Sequence, residues 1–231
     1  MYKALLFDLD DTLYQEMAFV KSGFKEVAKF ISSRHKFDEG LLFDEMNFLL
    51  ERNGRGRIFD SLLDKIGLYS EEWVKMLLYV YRSHKPDIKP FKDVVPFLLY
   101  LRRTGIRTGI ITDGLAPVQQ NKVNALKLDG IFDFIIYTDT LGKEYSKPSE
   151  LPFLIALELL RGSIETPEDT AYAGNDVLKD FIAPNSLGMD TIEIRRVSEG
   201  AEGKVVQCSE MANAKHTFAD LTELYEKLFN S

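Results

Sequence analysis

Apolar positions along the chain fall into two patterns, short unbroken runs and longer stretches with helical spacing. Five runs, at residues 4–9, 107–112, 132–137, 170–174 and 191–195, read as buried parallel strands. Between and after the later runs, residues 93–103, 117–128, 151–160, 177–187 and 219–229 carry apolar residues at helical spacing. Gly105 supplies a stop signal after the first of these. Strands alternating with helices predict an α/β fold, a Rossmann-like parallel five-stranded core sheet flanked by helices. The first connection breaks this rhythm. About eighty residues separate strand one from the next helix–strand unit, far beyond an ordinary connecting loop. Within it, residues 17–31, 41–50, 58–66 and 71–81 each read as amphipathic helices, with Asn53, Gly54, Gly56 and Gly67 at the turns. The expected organisation is a core of residues 1–14 and 90–231, with an inserted α-helical subdomain at 15–89.

Composition narrows the class without changing that picture. The chain has 231 residues, 45% apolar and 28% charged, as expected of an ordinary globular protein with a sizeable core. Its net charge of −7 argues against a nucleic-acid-coating surface. The charge is uneven: residues 15–89 hold 13 basic and 12 acidic residues, the remainder 16 and 24. A near-neutral insert in an acidic protein would help admit an anionic substrate, although a fluctuation in composition explains it equally well. One cysteine, Cys208, excludes an intrachain disulfide and reads as structural or incidental. No apolar run approaches a membrane span, and the first residues read as a strand rather than a signal peptide. The expectation is a cytoplasmic protein without membrane or nucleic-acid partners.

In an open parallel sheet, ligands lie beyond the carboxyl ends of the strands. Residue types able to do chemistry recur at those ends. Asp8 and Asp10 end strand one, Thr112 and Asp113 end strand two, Lys147 follows strand three, and Asn175 and Asp176 end strand four. Three carboxylates within four positions, Asp8, Asp10 and Asp11, disfavour mutual ionisation unless a cation compensates them. Mg²⁺ suits such a place, since it takes oxygen ligands, one or two of them carboxylates. An ionised Asp can attack phosphorus, and a second can shuttle protons. The bland alternative is an acidic turn or helix N-cap. Thr112, Asp113 and Gly114 would cradle phosphate oxygens through a hydroxyl and backbone N–H groups, or Thr112 simply caps a helix. Lys147 would neutralise charge on a transferring phosphoryl group. Asp176 and Asp180, four apart, share a face if a helix begins at once, with Asp176 on the metal and Asp180 orienting.

Asp8-Leu9-Asp10-Asp11-Thr12-Leu13, then Thr112, then Lys147-Pro148, then Gly174-Asn175-Asp176 with Asp180, occur in this order. Together they resemble the four motifs of the haloacid dehalogenase-like superfamily of phosphohydrolases, and the helical insert resembles that family's cap between motifs one and two. The resemblance implies strand one beside strand four and Mg²⁺ as cofactor. Asp8 would be the nucleophile and a metal ligand. Asp10 would be the general acid/base and give the metal its backbone carbonyl. Thr112 and Lys147 would hold phosphate, and Asp176 would ligate the metal. Motif four departs from the usual Gly-Asp. Alignment by Gly174 puts Asn175 at the metal, whereas alignment by spacing to Asp180 puts Asp176 there, the reading favoured because a carboxylate binds Mg²⁺ better.

The implied activity is a Mg²⁺-dependent phosphatase acting on a small phosphorylated metabolite through a phospho-aspartate. Dehalogenases of the superfamily lack the second Asp, so Asp10 argues for phosphoryl transfer. The alternatives are a catalytically weak or inactive member acting as a binding protein, or a phosphomutase. A signalling receiver domain is shorter, has no insert and orders its residues differently. For specificity, the candidates are Arg52, Arg55 and Arg57, His84 and Lys85 as anion binders, and Tyr14 as a stacking residue.

Overall fold

The computed structural model describes residues 2–196 and 210–229; Cys208 lies outside them. Strand β1 (Ala4–Phe7) leads into four helices, α1 (Glu16–Ser32), α2 (Glu39–Asn53), α3 (Ile58–Lys65) and α4 (Glu71–Ser83). The chain continues through α5 (Val94–Arg103), β2 (Arg107–Thr112), α6 (Ala116–Leu126), β3 (Phe134–Tyr137), α7 (Leu151–Leu159) and β4 (Thr170–Gly174). It ends with α8 (Ile182–Ser186), β5 (Asp190–Ile194), β6 (His216–Phe218) and α9 (Leu221–Leu228). It divides into two compact units, residues 1–15 with 89–231, and residues 16–88.

The first unit is built on one parallel sheet of order β3-β2-β1-β4-β5-β6. Strand β1 lies centrally, fully buried, with Phe7 level with Ile110 on one side and Ala173 on the other. That register brings the carboxyl ends of β1, β2 and β4 to the same sheet edge. The sheet has six strands rather than five. Strand β6 is three residues long with only Phe218 buried, too short to leave an apolar run. One helix also departs from its pattern. Of residues 177–187, only Ile182–Ser186 is α-helical. The preceding turn is held by the Asp180 carboxylate, which accepts from the backbone N–H of Asn175 and Asp176 at 3.1 and 2.9 Å. A side chain folded back onto its own turn competes with helix formation.

The second unit is a four-helix insert whose apolar faces meet in their own core. Phe24, Val27, Ile31, Met46, Leu62, Leu63 and Leu77 are buried there. Helix starts follow local chemistry: Asp38 accepts from Leu41 N–H at 2.9 Å before α2, and Ser70 from Trp73 N–H at 3.2 Å before α4.

Candidate active site

The geometry begins with a buried cation. Lys147, in the segment between β3 and α7, has no exposed side-chain surface and donates from Nζ to three acceptors. They are Asp8 Oδ1 at 2.6 Å, Asp180 Oδ1 at 2.7 Å and the Tyr172 hydroxyl at 2.9 Å. An ammonium has three protons, so this set uses all of them. Burial alone would lower the Lys147 pKa, but the Asp180 and Asp8 carboxylates outweigh it and hold it well above the usual lysine value. One ammonium shared by two buried carboxylates leaves a negative charge over. Burial, opposed by Lys147 and reinforced by the Asp180 charge, pushes the Asp8 carboxyl up to about 7. Asp8 Oδ2 carries no hydrogen bond among the described residues.

Gly174 is what lets Asp180 come this close. A Cβ there would stand 2.5 Å from Asp180 Oδ2 and 2.9 Å from its Cβ, with no room for a buried side chain to yield. Tyr172, on β4, points its hydroxyl at the same cluster and was not legible as a site residue, since a buried strand Tyr reads as core.

Asp10 sits in a second cluster. Lys122 donates to both its oxygens, at 2.8 and 2.9 Å; Gln119 Nε2 donates to Oδ2 at 3.0 Å, and the Tyr14 hydroxyl to Oδ1. Burial would raise the Asp10 carboxyl, but the charge and hydrogen bonds of Lys122, with those of Tyr14 and Gln119, hold it below the usual carboxylate range. Tyr14 is therefore not a stacking surface: it is fully buried with its hydroxyl committed. Asp11 follows in the left-handed region at φ 54°, a conformation Asp tolerates better than most residues. The loop after it is tied down by Arg196, which donates to the Thr12 carbonyl at 3.1 and 3.2 Å and pairs with Asp93 at 2.6 Å.

Thr112 is fully buried at the end of β2, and its Oγ1 accepts from Gln119 Nε2 at 2.5 Å. That bond uses a lone pair and leaves the hydroxyl proton available. The Asp113 carboxylate is occupied in joining strand ends, accepting from Thr138 Oγ1 at 2.7 Å and Lys147 N–H at 3.2 Å. Asp176 accepts from Leu178 N–H at 3.0 Å and lies 3.7 Å from Lys179. Because no helix begins at residue 176, Asp176 and Asp180 do not share a helical face. Asp180 turns inward to Lys147, whereas Asp176 remains partly exposed. Asn175 Oδ1 accepts from Thr12 Oγ1 at 3.3 Å, joining β4 to the loop after β1.

The candidate anion binders of the insert are largely committed elsewhere. His84 is buried, its Nδ1 2.6 Å from the Tyr81 carbonyl and its Nε2 3.1 Å from Ser22 Oγ. Arg55 pairs with Glu16, and Arg57 lies 3.6 Å from Asp60.

Comparison with known proteins identifies the family. The family model described as haloacid dehalogenase-like hydrolase matches residues 5–194. A glyceraldehyde 3-phosphate phosphatase of Methanopyrus kandleri is 33% identical over 208 residues, 85% of each chain. One from Methanocaldococcus jannaschii is 29% identical, covering 100% of this chain and 98% of its own. Among solved structures, the magnesium-bound HAD-hydrolase YfnB from Bacillus subtilis shares the fold, with a TM-score of 0.68 at 16% identity over 97% of each chain. With the motif residues at adjacent strand ends, a family match spanning most of the chain and relatives that are phosphatases, the protein is an enzyme belonging to the haloacid dehalogenase-like hydrolase family.

Proposed function

We propose that the protein is a cytoplasmic, Mg²⁺-dependent phosphatase that hydrolyses a small phosphomonoester through a phospho-aspartate on Asp8. The observation carrying this reading is the pairing of two differently served carboxylates, Asp8 on Lys147 and Asp10 on Lys122, two residues apart at the carboxyl end of β1. Displacing a halide needs only the first; breaking a phosphate ester needs a proton at the leaving oxygen as well. The relatives favour a triose phosphate, with glyceraldehyde 3-phosphate the first candidate substrate.

Asp8 Oδ2 attacks phosphorus as the bond to the leaving oxygen breaks, and that oxygen takes a proton from Asp10, which its donors hold ionised at rest and which therefore takes up that proton from solvent as the ester binds. A water then loses a proton to Asp10 and attacks phosphorus, the bond to Asp8 breaks, and inorganic phosphate leaves. Lys147 keeps Asp8 in place and balances Asp180. Since its three protons are already bonded, its part is holding the nucleophile, and the free proton of Thr112 is the better phosphate contact. The donor set suits Mg²⁺: hard oxygens only, and a surplus negative charge. Asp8, the Asp10 backbone carbonyl and Asp176 would hold the ion, which when bound neutralises phosphate charge and orients the phosphorus.

The test is hydrolysis of p-nitrophenyl phosphate, glyceraldehyde 3-phosphate and a panel of metabolite phosphates, with Mg²⁺ and with chelator. Turnover of at least one metabolite phosphate that chelator abolishes is expected. Inactivity on every ester with Mg²⁺ present would overturn the reading.

A further inference from the structure

Helix α6 turns polar residues towards the sheet. Gln119, Lys122, Val123 and Leu126 share one helical face and all are buried, Gln119 at 2% and Lys122 at 4% exposure. Buried lysine is costly, and a buried ion pair rarely stabilises a fold better than apolar residues of the same volume. If α6 needed only to be fastened, Leu or Met at 122 would serve. Instead the ammonium bridges both oxygens of Asp10, while Gln119 spends one amide proton on Asp10 Oδ2 and the other on Thr112 Oγ1. With Tyr14 as a third donor, Asp10 is an acceptor in every one of these bonds. The carboxylate is thereby fixed in one orientation and tied to the end of β2.

We propose that Lys122, with Gln119 beside it, is a positioning residue for the second half of the reaction, holding the Asp10 carboxylate where it accepts the proton of the water that attacks the phospho-Asp8. This rests on the phosphatase reading above. In that step the water O–H breaks, its proton passes to Asp10, the water oxygen bonds phosphorus and the bond from phosphorus to Asp8 breaks. Lys122 touches none of the reacting atoms.

Nitrophenolate leaves without needing a proton, so p-nitrophenyl phosphate isolates this half-reaction. In stopped flow with Mg²⁺, Lys122→Met is expected to release a burst of about one nitrophenolate per site, then turn over with kcat about 10²-fold below wild type. Its kcat/KM should stay within about threefold of wild type, because that ratio reports only the phosphorylation half here, so KM falls with kcat. Lys122→Arg should recover kcat to within about tenfold. Equal losses in kcat and kcat/KM without a burst, or unchanged kcat, would overturn the proposal. If Lys122→Met does not fold by circular dichroism, Gln119→Leu must show the same burst and the same split in smaller measure, and its absence is equally decisive. Failure of the parent reading looks different: wild type inactive on every ester, or Asp8→Asn still turning over.

Discussion

Lys147 carries a heavy electrostatic duty. Two buried carboxylates and a buried phenol depend on one ammonium, so removing it strands charge in a low-dielectric place. Lys147→Met is expected to lower unfolding free energy by about 3–5 kcal/mol, read by urea denaturation; a loss under ~1 kcal/mol would mean the network relaxes. Motif four makes a second prediction at this scale. Asn175 is spent on Thr12, whereas Asp176 is a partly exposed carboxylate at the same strand end. Mg²⁺ affinity measured by calorimetry should drop further in Asp176→Ala than in Asn175→Ala; the reverse order would put Asn175 at the metal. Individual residues were unevenly legible. Asp8 and Asp10 stand out because carboxylates interrupt an apolar run. Lys122 and Gln119 lie far off in sequence and within an ordinary-looking helix, where the only signal is polar residues at core spacing. Tyr14 misleads because an aromatic after an acidic loop looks like a stacking platform until its burial and its bond to Asp10 are known.

Among elements, strand positions were readable because buried parallel strands are nearly continuous apolar runs. Strand β6 and the turn before α8 were not, one being too short and the other governed by the Asp180 carboxylate folding back onto its own turn. The helical insert offers a test of its own packing. Ser22 Oγ accepts from Asp87 N–H at 2.9 Å, so its single proton goes to His84 Nε2, and His84 Nδ1–H donates to the Tyr81 carbonyl. This arrangement needs the neutral imidazole, and burial lowers the His84 pKa. A histidine with a depressed folded pKa contributes stability that is present above its unfolded value of about 6.5 and is lost as pH falls through the folded one. The fall in Tm between pH 7 and pH 5 should therefore be steeper in wild type than in His84→Gln. Equal slopes would show that His84 is charged, or free to charge, in the folded insert.

Across the whole molecule, the parallel sheet gathers at one edge residues from distant stretches of a 231-residue chain. Their order along the sequence was visible; their convergence follows from β1 lying between β2 and β4. The most direct measurement is a rapid acid quench with ³²P-labelled substrate and Mg²⁺ on wild type and Asp8→Asn. The expected result is hydroxylamine-labile label on the wild-type protein, with neither label nor turnover in a folded Asp8→Asn. Turnover by Asp8→Asn, or label that survives hydroxylamine and lies elsewhere in the chain, would contradict phosphoryl transfer through Asp8.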